Sequence, residues 1–124
     1  MKKNRLFNSF KYALNGIKNV FIREKNIKIH LLAMILVIIF GFSLKLDKYE
    51  WIVCVICFAM VIGAEMINTS IELSVDLAEP NINEKAKLAK DIAAGAVLFI
   101  SICSAIIGCI IFIPKFIEFL SNFF

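Results

Sequence analysis

The sequence predicts an all-α integral membrane protein: an N-terminal amphipathic surface helix followed by three transmembrane helices. Three observations predict it. The 124-residue chain is 60% hydrophobic, with a mean hydropathy of +0.84, more apolar surface than a soluble domain of that size can bury. The apolar residues come in long runs rather than short alternations. The net charge of +4 is also placed unevenly. Lys2, Lys3, Arg5, Lys11, Lys18, Arg23, Lys25 and Lys28 precede the first run, against a lone Glu24. Such a basic flank stays on the cytoplasmic side, so the N-terminus is expected inside, in a multi-pass protein of the cell inner (cytoplasmic) membrane. The arm carries no nucleic-acid-binding motif and leads straight into a span, which argues against a nucleic-acid partner.

Residues 4–25 read as the surface helix. Asn4, Asn8, Lys11, Asn15 and Lys18 make a polar stripe, and Leu6, Phe10, Leu14, Ile17 and Phe21 fill the other side. A basic helix with such an apolar face suits the membrane plane. Residues 29–46 are the first span, with His30 and Ser43 as its polar side chains up to Leu44. His30 reads as a structural residue at the interface. Lys28 and Lys45 can snorkel to extend this short segment. Residues 51–79 are the second membrane helix, entered at the outer interface through Tyr49 and Trp51 and ended by Pro80. Residues 85–113 are the third, with Pro114 and Lys115 marking its outer end. Residues 1–124 are expected to form a single domain.

The cysteines, Cys54, Cys57, Cys103 and Cys109, lie in apolar runs and read as small packing residues rather than a disulfide or metal site. No N-terminal segment has the pattern of a cleaved signal peptide. Neither a G-x-x-x-x-G-K-[ST] loop nor a G-x-G-x-x-G motif is present. Any nucleotide bound here must therefore be neutralised by metal and basic side chains.

The informative stretch is the second half of the second membrane helix. Glu65, Asn68, Glu72 and Asp76 recur at offsets of three, seven and eleven, which keeps them on one helical face. Aligned carboxylates repel, and a divalent cation or basic partners would relieve them. At a rise of ~1.5 Å per residue, Glu65 lies about 21 Å beyond Trp51 in a core of roughly 30 Å. It is thus an intramembrane acid near the cytoplasmic boundary, a functional candidate by its position. Ala89-Lys90-Asp91 opens the third membrane helix at the same level, followed by the small residues Ala93, Ala94, Gly95 and Ala96, which permit close helix approach. Lys90 can neutralise a carboxylate or hold a phosphate, or be an ordinary cytoplasmic flank.

The run Glu65-x-x-Asn68-Thr69-x-Ile71-Glu72-x-x-x-Asp76, followed by Ala89-Lys90-Asp91, resembles the signature of the prokaryotic diacylglycerol kinase family. Phe10-Lys11-Tyr12-Ala13-x-x-Gly16, and Glu24 and Asn26 before Ile29-His30, resemble its Gram-positive branch, the undecaprenol kinases. The resemblance covers nearly the whole chain. It implies a homotrimer with sites between neighbouring subunits, and transfer of the ATP γ-phosphate to a lipid hydroxyl with Mg²⁺. By position it implies Glu65 as the general base, with Asn68 beside the lipid substrate, and Glu24 and Glu72 as metal and nucleotide ligands. It implies Arg5, Tyr12, Asn81, Asn83, Lys90 and Asp91 as further ATP contacts, and Asp76 as a supporting residue. The sequence departs at Asn83, where many members carry histidine, and at Ser70, where alanine is commoner. Undecaprenol is the expected substrate and diacylglycerol the alternative. A small non-enzymatic transport protein is the rival from another class; such proteins place charge near the bilayer midplane, whereas these acids crowd one edge.

Overall fold

The computed structural model describes residues 2–124, and the chain is helical almost throughout. Four helices follow in order: α1 (Lys2–Arg23), α2 (Lys25–Ser43), α3 (Lys48–Ala78) and α4 (Glu84–Ser121). α2, α3 and α4 are each long and apolar enough to cross a membrane, with mean hydropathies of 2.0, 2.1 and 2.9 over their best windows. α3 and α4 pack on each other most extensively, α2 lies against α3, and α1 touches α2 and α3. α2 and α4 have no direct backbone packing, so a groove runs between them, floored by α3.

The helix limits differ from the sequence expectation in ways that local chemistry explains. The surface helix is expected over 4–25, but α1 stops at Arg23, and the first span begins at Lys25 rather than at residue 29. A single extended residue, Glu24 (φ −96°, ψ 121°), separates the two helices. Nothing in Lys25–Lys28 opposes helix, so these residues join α2, with Ile27 buried.

The far end of α2 falls at Ser43, not at residue 46. Lys45 takes a left-handed conformation (φ 56°). The Leu46 N–H then donates to the Gly41 carbonyl at 3.0 Å and the Lys45 N–H to that of Phe42 at 3.4 Å, the paired bonds of a Schellman stop. Asp47 caps α3 by accepting from the Glu50 N–H at 2.9 Å, while Glu50 accepts the Asp47 N–H at 3.0 Å. The bond from the Glu50 N–H holds the Asp47 carboxyl below its ordinary pKa. α3 therefore starts three residues ahead of Trp51.

Trp51 folds back over this turn, 4.9 Å from the Phe42 ring centroid. A Cβ at Gly41 would meet its ring at 2.5 and 2.8 Å. Gly41→Ala is thus expected to destabilise the fold by about 1–3 kcal/mol through overpacking. Thermal unfolding in detergent checks this, and an unchanged midpoint would show that Trp51 moves aside freely.

The largest correction concerns α4. Expected to end at residue 113, it continues through Pro114 to Ser121. Proline removes one backbone bond, but the next turn is anchored: Lys115 Nζ pairs with Glu50 Oε1 at 3.0 Å, both side chains being largely covered. The segment 116–121 therefore continues α4.

Candidate functional site

The polar stripe of α3 is turned into the bundle at its middle and outward at its end. Glu65 is 2% exposed and Asn68 8%, the two buried polar residues among the described ones. Glu72 is half-buried and Asp76 exposed. Asn68 Nδ2 donates to Glu72 Oε1 at 3.3 Å across one helical turn. Asn68 Oδ1 is buried and has no partner.

α2 and α4 complete the surroundings. Asn26, Ile29 and His30 from α2, Glu65 and Asn68 from α3, and Ala94, Val97, Leu98 and Ser101 from α4 line an open recess of about 270 Å³. The sequence of α4 explains its share. Lys90, Ala94, Val97 and Ser101 fall at offsets of four, seven and eleven, one face of the helix. Small Ala93 and Ala94 keep α4 close to α3, as their sizes lead one to expect. The Ser101 hydroxyl is buried without a partner.

His30 differs from its expected role. It is not merely interfacial: its Nε2 lies 3.3 Å from Glu65 Oε1. It also borders a second cavity of about 230 Å³, the α2–α4 groove, which runs past Val37, Val61 and Ser101 to Ile111 and Phe112 and is almost wholly apolar. The recess and the apolar groove share His30 and Ser101.

Toward the loop, ion pairs tie the acids to α4. Lys90 Nζ pairs with Asp76 Oδ1, and Lys87 Nζ with Asp91 Oδ2 at 2.8 Å. Of the three roles open to Lys90, the structure shows it paired with a carboxylate. Asn83 caps α4, its Oδ1 accepting from the N–H groups of Lys85 and Ala86 at 2.9 and 3.1 Å. The residue that departs from the family's histidine thus has a capping role that histidine fills poorly. Asn81 is exposed, its N–H donating to Glu79 Oε1 at 3.2 Å.

Three expected residues stand apart. Glu24, at the joint of α1 and α2, makes no capping bond with its side chain. Arg5 and Tyr12 lie on exposed turns of α1, about 27 and 17 Å along the helix from Arg23 at ~1.5 Å per residue. Among the described residues their side chains make no hydrogen bond or ion pair.

The described residues contain no cluster of three or more His, Cys, Asp or Glu side chains able to hold a metal by themselves. Mg²⁺ does not ask for one: it is typically held by one or two carboxylates, with water and substrate phosphates filling its shell. The hard oxygens of Glu72, beside the unpartnered Asn68 Oδ1, fit that demand.

The sequence reading missed Ser101 and the pairing of His30 with Glu65. The spacing from Lys90 was a usable signal for Ser101. No signal existed for the histidine, whose partner is 35 positions away.

Comparison with known proteins gives a consistent result. The family model described as prokaryotic diacylglycerol kinase matches residues 11–112. The chain is 40% identical over 112 residues to the undecaprenol kinase of Bacillus subtilis (strain 168), covering 90% of this chain and 91% of that protein. It is 34% identical over 111 residues to a diacylglycerol kinase of Synechocystis, covering 89% of this chain and 63% of that one. It is 35% identical over 96 residues to a diacylglycerol kinase of Helicobacter pylori (strain 26695), covering 76% and 73%.

Proposed function

Since this chain belongs to the prokaryotic diacylglycerol kinase family, we propose that it is a lipid kinase that transfers the γ-phosphate of ATP to the hydroxyl of undecaprenol at the inner leaflet of the cytoplasmic membrane. The observation that carries the reading is Glu65. It is a buried carboxylate lining an open recess that shares His30 and Ser101 with an apolar groove. A long-chain alcohol can leave its tail in such a groove while its hydroxyl reaches a base.

In this reading Glu65 accepts the hydroxyl proton as the oxygen attacks phosphorus, and Asn68 steadies the alcohol. Glu24 and Glu72 would hold Mg²⁺, whose charge would neutralise the phosphate oxygens of ATP. Phosphoryl transfer asks for this positioning and charge stabilisation more than for covalent chemistry. Asp76 fixes Lys90 at the mouth of the site, where Lys90 and Asp91 meet the nucleotide with loop residues Asn81 and Asn83. Arg5 and Tyr12, remote from Glu65 along α1, act on ATP at a site shared with a neighbouring chain of a homotrimer. The single domain of residues 1–124 has its N-terminus in the cytoplasm, with α1 on the membrane surface. Exposed apolar side chains such as Leu98, Phe99 and Ile102 on α4 suit both lipid and neighbouring subunits.

Undecaprenol ranks above diacylglycerol because the 40%-identical relative carries that name and is matched over 91% of its length. Competition between the two lipids in mixed micelles tests the ranking. Labelled undecaprenyl phosphate is expected to form faster, and faster phosphatidic acid formation would reverse the order. Tail length is expected to matter less than the headgroup, because an apolar groove discriminates weakly between methylenes.

A further inference from the structure

A carboxylate as enclosed as that of Glu65 is costly unless something donates to it. Two lysines of the neighbouring α4 turns are already engaged, Lys90 with Asp76 and Lys87 with Asp91. The group that meets Glu65 is the His30 imidazole, Nε2 to Oε1 at 3.3 Å, reaching across from α2. A carboxylate only accepts hydrogen bonds, so the contact is a bond when Nε2 carries the proton. The separation exceeds the usual 2.7–2.9 Å of a charge-assisted bond, leaving room to tighten once substrate displaces water. His30 also lines both the recess at Glu65 and the apolar groove. An alcohol lying in the groove with its hydroxyl at Glu65 would lie beside the imidazole.

We infer that His30 is a positioning residue for phosphoryl transfer: its Nε2–H grips Glu65 Oε1 and leaves Oε2 aimed at the lipid hydroxyl. This rests on the kinase reading above. In the step it serves, the hydroxyl oxygen bonds to the γ-phosphorus as the bond to the ADP oxygen breaks. The hydroxyl proton passes to Oε2, and the bonding pair leaves with ADP. His30 neither touches phosphate nor changes this balance; it fixes the direction from which the proton is taken.

The test compares His30→Leu, which removes the donor, with His30→Gln, whose side-chain amide keeps one. For purified protein with undecaprenol and Mg-ATP, His30→Leu is expected to lower kcat about 10- to 100-fold, the range of a lost orienting contact, with the KM for ATP unchanged. His30→Gln is expected to restore most of the rate. In a Glu65→Gln background, His30→Leu is expected to change the residual rate little, because the two act as a unit. Full kcat in His30→Leu overturns the inference. So does equal loss in both variants, or an effect confined to the KM for the lipid, which would make His30 part of the groove wall. Should His30→Leu fail to assemble, His30→Ala takes its place in the same comparison. Glu65→Gln run in parallel separates the two readings. If it stays active, the kinase base assignment falls. If it is dead while His30→Leu is normal, only the positioning role falls.

Discussion

Glu65→Gln is expected to abolish lipid phosphorylation, with a fall of at least about 10²-fold, the usual contribution of a positioned general base. The change keeps the size and one hydrogen-bonding oxygen of the side chain, so the bundle and its expression should be preserved. The amide cannot take the hydroxyl proton. Because Glu65 is 2% exposed, water is poorly placed to serve as a substitute base. The two proteins are then expected to share a fold and to differ in whether a proton acceptor faces the alcohol. Initial rates with saturating Mg-ATP, set beside unfolding midpoints, check it. Near-normal rates would remove Glu65 from the chemistry.

Glu72→Gln is expected to act differently. Its carboxylate sits one turn beyond Asn68, accepts that residue's amide, and is half-buried. Removing its charge is expected to weaken the hold on Mg-ATP rather than proton abstraction. The apparent affinity for Mg²⁺ is expected to fall at least roughly 100-fold, beyond what loss of a supporting contact costs. Raising Mg²⁺ should recover part of the rate, a rescue that Glu65→Gln should not show. Titration of activity with Mg²⁺ at fixed ATP separates the two. A Glu72→Gln enzyme with an unaltered Mg²⁺ dependence would assign the metal elsewhere.

Most of the architecture was legible because it follows from solvent and period. Long apolar runs fixed the number of spans, and the 3.6-residue repeat put Glu65, Asn68 and Glu72 on one face. The ends were less legible because they depend on contacts between helices. Pro114 reads as a stop until Lys115 is seen gripping Glu50. Lys45 gives no hint of a left-handed turn, since any residue can occupy that conformation at a modest cost. Within the site, the stripe on α3 was visible, but the rotation of α2 about its axis was not. That rotation decides whether His30 faces lipid or Glu65, and packing of α2 on α3 sets it. Arg5 and Tyr12 show the reverse case: the resemblance names them, while a single chain leaves them exposed and without side-chain hydrogen bonds or ion pairs among the described residues.

The central claim is that acidic side chains on α3 gather magnesium-ATP against an alcohol held in the bilayer. Its most direct measurement follows γ-labelled ATP incubated with the purified protein, Mg²⁺ and undecaprenol in nanodiscs. The account expects label in the lipid extract, lost on chelation of Mg²⁺ and on Glu65→Gln. Label remaining entirely in ATP, or released only as inorganic phosphate, would contradict it.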